Sequence, residues 1–481
     1  MFSSRSILAA VVLLEGLIAP LAGRASGAGE MEAAVSSNGP QPSLSVVSED
    51  PYTNPGTYHR TQVEPDTAAF GSTIVSTFQT GRSLEWGASN LGWSVSTDAG
   101  ATWTSGFLSG TTIHTDSPGP WKRVVDPSVA YDAKHDTWLV EGLGTRSLDG
   151  LKDRVFVSLS TDGAQTFGEP VIVARANRSQ YFDKNWITCD NTTTSPFYGN
   201  CYSAWHDDGH DLRLHAYTTA DGGLTWIKAG TPSDPCVLGV QPVVQPNGTV
   251  VMPYSVGCDY RFESFVSADG GDTYVGPFDM PAINGRRVHG GLRMPQWPSA
   301  DVDATGTVYV VWQDCQFRDF GARQHCTHND IVMSTSTDGR HWADVVRIPI
   351  DPRASSVDHF LPAIAVDPAT SGSLAHLAIV YYFYPDADCN RSTCELSVGF
   401  VSSADGGSKW TSQQLAGPFK TTWFPLSYSG YMVGDYISVS FVDGNAIPVF
   451  TVATEGTCEL GDNTSCNVWT ASATIPLVSG S

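Results

Sequence analysis

Along most of the chain, apolar and polar residues alternate with a period of two. Residues 155–160 read Val-Phe-Val-Ser-Leu-Ser, and residues 331–336 read Ile-Val-Met-Ser-Thr-Ser. Alternation carried by β-branched and aromatic residues predicts half-buried strands. The strand-like runs come in threes. In one group, residues 298–303 are followed by a turn at 304–306, a second run at 308–312 and a third at 331–336. Matching pairs of runs are 127–132 with 137–141, 186–190 with 200–205, and 242–247 with 249–254. Others are 362–367 with 376–382, 436–443 with 447–453 and, near the start, 64–69 with 72–78. These make seven units from residue 62 to 475, about 59 residues each, the size of a four-stranded propeller blade with loops. The predicted fold is all-β: a β-propeller of seven four-stranded antiparallel blades, with six as the alternative. The last unit has its third strand at 468–473, and residues 44–47 are expected to supply its fourth and close the ring. One propeller domain is expected over 60–475, preceded by a segment at 30–59.

A short turn motif, Ser-x-Asp-x-Gly-x-Thr-Trp, follows the third run of six units. Its Asp residues are Asp98, Asp162, Asp221, Asp269, Asp338 and Asp405. Ala164 replaces the Gly in the second copy, and the fifth is one residue shorter. An Asp that accepts hydrogen bonds from its own turn and a Gly at positive φ suit a tight hairpin. The aromatic residue then folds back as an apolar plug. These six Asp residues are therefore assigned a structural role.

Composition narrows the picture. The chain has 481 residues, 27 Lys+Arg against 49 Asp+Glu, and a net charge of −22. So acidic a chain lacks the basic patches that nucleic acid or an anionic membrane surface requires. Its 41% hydrophobic content is enough for a core, which excludes a disordered acidic chain. Residues 1–29 read as a secretory signal, with Arg5, an apolar stretch at 7–22 and small residues after it. Export permits disulfides, and the ten cysteines fall into five close sequential couples. The expected pairs are Cys189–Cys201, Cys236–Cys258, Cys315–Cys326, Cys389–Cys394 and Cys458–Cys466. The tight Cys-x-x-Cys spacing of a zinc site is absent.

The six turn motifs resemble the Asp box, or BNR repeat, of sialidases, over about residues 60–475. Local phrases at 61–66, 126–132, 183–186, 308–314 and 432–436 resemble a group of secreted bacterial BNR-repeat, sialidase-like proteins. The resemblance implies a β-propeller and exo-α-sialidase-like glycoside hydrolysis. In that family three arginines clamp the substrate carboxylate, a tyrosine helped by a glutamate is the nucleophile, and an aspartate is the acid/base. The nearest phrase to the family's Phe/Tyr-Arg-Ile-Pro is Tyr58-His59-Arg60-Thr61, without the Ile-Pro.

Aligning the units places the residues before each first strand around one mouth of the channel. They are Glu64, Asp126, Asp183, Lys184, Gln241, Trp297, Asp358, His359, Asp435 and Tyr436. On the enzyme reading, Tyr436 is the nucleophile with Glu64 assisting, and Asp126 or Asp183 is the acid/base. Arg82, Arg123 and Arg293 form the clamp, with Lys184, Asp358, His359 and Asp435 as further substrate contacts. The alternatives are a non-catalytic carbohydrate- or protein-binding propeller, or another glycosidase or lyase with two carboxylates facing across the channel. Such a ring can also simply hold ordered water. No cofactor is expected, although clustered carboxylates suit Ca²⁺. The expected partner is a glycan, and the expected state a secreted monomer.

Overall fold

The computed structural model describes residues 41–146, 153–209, 211–233, 236–259, 261–318, 326–456, 458 and 465–477. The signal at 1–29 and the start of the segment at 30–59 lie outside the described residues.

The described chain is all-β, with two single-turn 3₁₀ helices at Gly372–Leu374 and Thr421–Trp423. Among the described residues no helix is long and apolar enough to cross a membrane. Each predicted unit forms an antiparallel sheet. Unit one runs His59–Phe70, Thr73–Arg82, Ala88–Ser96 and Thr104–Phe107. Unit two runs Arg123–Asp132, Thr137–Thr145, Arg154–Ser160 and Val171–Arg175. Units three, five and six are separate four-stranded sheets beginning at Phe182–Cys189, Ser299–Val302 and Asp358–Val366. Unit four has five strands because its first strand is broken into Val237–Leu238 and Val243–Val244. Its chain between them carries Gly239 and Pro242, which interrupt the ladder.

Unit seven runs Ser438–Val442, Asn445–Ala453 and Ser465–Ser472. The segment Ser45–Val46 pairs antiparallel with Ser465–Ser472, through Ser45 to Ser472 and Val46 to Ala471, and so adds a fourth strand. His59 and Thr61 pair in parallel with the same strand and join unit seven to unit one, and Ala88 pairs with Val124 and joins unit one to unit two, making one 13-stranded sheet.

The first strands of consecutive units pack on one another in order, and that of unit seven packs on that of unit one. The core lies between neighbouring sheets. Trp93, Val95, Trp138 and Phe156 fill the space between units one and two. Tyr202, Met252, Tyr254 and Phe265 fill that between units three and four. All five expected disulfides are formed, each closing a local loop.

Four of the six turn motifs share one hydrogen-bond pattern, while Asp338 accepts the Arg340 and His341 N–H groups and Asp405 the Lys409 N–H. In the first, Asp98 accepts the Thr102 N–H at 2.9 Å and the Thr102 hydroxyl at 2.6 Å, while Ser96 Oγ accepts the Gly100 N–H at 2.8 Å. The motifs at Asp162, Asp221 and Asp269 repeat it. Ala164 takes the Gly position at φ 61°. Trp103 reaches back to unit seven and donates its indole N–H to Ser472 Oγ at 3.0 Å.

Candidate functional site

The first strands of units one, two, three and six each slip register once, between Val63 and Asp66, Val125 and Ser128, Asp183 and Trp186, and Phe360 and Ala363. A bulge re-aims the side chain at its apex. Here the apex residues are Glu64, Asp126, Lys184 and Leu361, with φ of 56°, 51°, 54° and 50°. Non-glycine residues seldom adopt this left-handed conformation, and it concentrates at functional sites. Unit seven joins the group through Gly434, at φ 126°, where an added Cβ would stand 2.9 Å from the Glu64 nitrogen. Glycine there lets Asp435 reach Glu64.

These side chains meet in a buried ion cluster. Lys184 Nζ lies 2.5 Å from Asp435 Oδ2, 3.1 Å from Asp126 Oδ1 and 3.7 Å from Glu64 Oε1. Asp435 Oδ2 also pairs with Arg293. Glu64 accepts the Asp435 N–H at 3.1 Å and a hydrogen bond from the Gln79 amide. Burial raises the Glu64 pKa to about 7, against the pull of Lys184. Burial acts to lower the Lys184 pKa, but Asp126, Asp435 and Glu64 outweigh it and hold the ammonium well above its ordinary value. For Asp435 burial acts upward, and Arg293 and Lys184 outweigh it, keeping the carboxylate ionised.

A cavity of about 270 Å³ opens above the cluster, lined by Glu64, Arg82, Asp126, Asp183, Lys184 and Arg293, with Trp86, Tyr181, Tyr428 and Met432. Arg82 is buried, and its Nη1 donates to the Gly87 and Ser83 carbonyls at 2.6 and 3.2 Å. Burial, and then Arg293 beside it, lower the Arg82 pKa to about 10, so it stays charged at neutral pH. Asp183 is partly exposed, whereas Asp126 and Asp435 are buried.

Seven of the eleven residues nominated from sequence therefore come together: Glu64, Arg82, Asp126, Asp183, Lys184, Arg293 and Asp435. Asp435 joins through its ion pairs with Lys184 and Arg293 and lines the neighbouring cavity, and the other four neither line this cavity nor form an ion pair within the cluster. Arg123 Nη1 reaches Glu85 at 3.3 Å and the Trp86 carbonyl at 3.2 Å. Tyr436 lies beneath Lys184, its ring centre 5.7 Å from Nζ, and donates its hydroxyl to the Pro127 carbonyl at 2.8 Å. It lines a second cavity of about 340 Å³ between the first strands, and Lys184 lines both cavities. Asp358 accepts the Asn329 N–H at 2.7 Å. His359 joins a buried network in which Arg318 and Arg347 pair with Asp330 at 2.6 and 2.9 Å. In unit six the bulge apex is Leu361, so the aligned position is three residues after Asp358.

Trp86, Gln79, Tyr181, Tyr428 and Met432 were missed from sequence. Gln79 lies on the second strand of unit one, Trp86 in the turn after it, and Tyr428 in the hairpin Leu426–Ser427 with Gly430–Tyr431. One signal was available: Glu64, Asp126 and Leu361 each precede a proline, which disfavours right-handed helical backbone before it. The carboxylates suited to Ca²⁺ surround the Lys184 ammonium. Beside them, Asp183 of the same cavity brings a ligand atom within 4.8 Å of those of His206 and Asp208, and elsewhere Asp330, Asp351 and His359 are grouped likewise.

No family model matches the chain, and no curated protein matches it. Solved structures do. The phage phi92 endosialidase aligns at TM-score 0.50 and 13% identity over 92% of this chain and 70% of its own. A Trypanosoma rangeli sialidase in complex with sialic acid aligns at 0.48 and 12%, over 87% and 70%. The Hadza microbial sialidase Hz136 aligns at 0.46 and 15%, over 74% of this chain, which spans 66% of that protein. The fold is like that of the phage phi92 endosialidase, and the other solved structures the chain resembles include sialidases, trans-sialidases and a Dyadobacter fermentans protein of unknown function.

Proposed function

We propose that this chain is a secreted, sialidase-like glycoside hydrolase that acts on acidic extracellular glycans from the mouth of a seven-bladed Asp-box propeller. Support for the architecture comes from seven consecutive antiparallel units whose first strands pack in sequence, with the last on the first. Five disulfides and the apolar N-terminal stretch support export. The observation that carries the activity is the convergence of Arg82, Arg293 and Lys184 with Glu64, Asp126 and Asp183 on one cavity. Cations fixed in a partly dry cavity attract a carboxylate without reorganising. Arg293, with its side chain 23% exposed, is the cation a ligand reaches first. Asp183 is assigned as the acid/base, because it is partly exposed where Asp126 is buried against the Lys184 ammonium. Of the tyrosines, Tyr181 and Tyr428 line the cavity and Tyr436 lies under its floor.

A non-catalytic glycan-binding propeller is the second reading. It is favoured by the Tyr436 hydroxyl's bond to the Pro127 carbonyl and by the carboxylates that already pair with Lys184 and Arg293. Release assays with a fluorogenic sialoside and a panel of neutral glycosides decide between them. Turnover by the wild type, reduced at least ~100-fold in Asp183→Asn and in one of Tyr181→Phe, Tyr428→Phe or Tyr436→Phe, is the expected result. No turnover on any substrate, with glycan-array binding intact, leaves the binder.

A further inference from the structure

Arg123 belongs to the cavity in a different way from the clamp role its position suggests. Its guanidinium carbon lies 5.2 Å from the centre of the Trp86 ring, and its Nη1 donates to the Trp86 carbonyl at 3.2 Å. Trp86 sits in the turn of residues 83–87, between the second and third strands of unit one. That turn is held from both sides. The Ser83 N–H donates to the Gly87 carbonyl at 2.7 Å, and Arg82 Nη1 donates to the same carbonyl at 2.6 Å. Gly87 has φ 71°, and an added Cβ would stand 3.0 Å from Val125 Cγ1 and 3.2 Å from Arg123 Cβ. Only glycine lets the turn lie this close to unit two. Trp86 also packs at the edge of the core between units two and three.

A tryptophan placed this firmly in the wall of a cavity that also carries fixed charges has a chemical meaning. Charged groups alone would bind any small anion. A sugar ring has an apolar C–H face as well as hydroxyls, and ligand sites pair aromatic walls with a few fixed polar groups. We propose that Trp86 is the platform for the apolar face of a sugar ring, and that Arg123 is the positioning residue that sets the indole. Arg82 serves the same turn through the Gly87 carbonyl. The ligand class is then a carboxylated saccharide rather than a simple carboxylate, its charge on Arg293 and one ring face on Trp86. This rests on the reading of the cavity as an acidic-glycan site.

The test uses the full secreted chain, 3′-sialyllactose as saccharide and acetate as ring-free carboxylate, with binding measured by calorimetry. Trp86→Ala is expected to weaken sialyllactose at least ~10-fold and leave acetate unchanged. Arg123→Ala, which leaves the indole but removes its support, is expected to weaken sialyllactose ~3–10-fold, with partial rescue in Arg123→Lys. Sialyllactose should change the tryptophan fluorescence of the wild type, and Trp86→Phe should remove most of that change. A purely structural role for Trp86 would leave the fluorescence change in place. Equal losses for sialyllactose and acetate, or no loss in folded Trp86→Ala, overturn the platform while the site reading stands if Arg293→Ala abolishes binding. Wild type that binds neither probe overturns both.

Discussion

Asp66 sits just past the bulge of unit one and ties three units together. It accepts the Val129 N–H at 2.9 Å and the Ser438 hydroxyl at 3.2 Å. Burial raises its pKa to about 7, despite those bonds. The folded state thus keeps the proton to a higher pH than the unfolded chain, whose Asp titrates near ~3.9. This group's contribution to stability is complete below that value and is lost as pH rises through about 7. Lowering the pH from 8 to 5 should therefore raise the melting temperature of the wild type more than that of Asp66→Asn, by ~2–4 °C. Parallel curves in scanning calorimetry would contradict this. At this scale the sequence was legible where a charged residue stood at a bulge, as with Glu64, Asp126 and Lys184. It misled at Asp358 and His359, because a bulge shifts the alignment by residues that no local pattern marks.

The turn motif is the element most completely legible from sequence, because its bonds close within five residues. Ser96, Asp98, Gly100 and Thr102 satisfy one another without help from the rest of the chain. Replacing Asp98 with Ala removes the acceptor of the Thr102 N–H and hydroxyl. The expected loss is ~1 kcal/mol, seen as a lower urea midpoint. Glycan binding should not change, since Asp98 does not line the cavity and its side chain bonds to Ser96 and Thr102 of its own turn. An unchanged midpoint, or a loss of binding, would oppose the structural assignment. First strands were less legible. Unit four's first strand is broken in two, and its predicted run at 242–247 holds only the short strand Val243–Val244. Gly239 and Pro242 stand between its two pieces and interrupt the ladder there.

On the scale of the whole molecule, the N-terminal segment binds the two ends of the repeat array. Val47 donates its N–H to the Thr470 carbonyl at 3.0 Å and accepts from Ser94 Oγ at 2.9 Å. Asp50 accepts the Thr61 N–H at 2.9 Å. Removing residues 30–55 therefore takes away the fourth strand of unit seven and a contact with unit one. Because each sheet buries its faces only against its neighbours, an opened junction should be felt throughout. The truncated chain should melt at least ~5 °C lower in a single transition. An unchanged melting temperature would remove the proposed ring closure.

The sequence by itself determined the strands, the six turns, the disulfide partners and the acidic character of one mouth. Each is set by period, local hydrogen bonding or short loop closure, and so needs no knowledge of distant residues. The tertiary structure decided which ionisable groups meet. Lys184 draws Glu64, Asp126 and Asp435 together from units one, two and seven. Arg123 is turned from the cavity to the support of Trp86, and Tyr436 is set below the floor. Burial and backbone bulges govern these outcomes, and both depend on how sheets far apart in sequence pack.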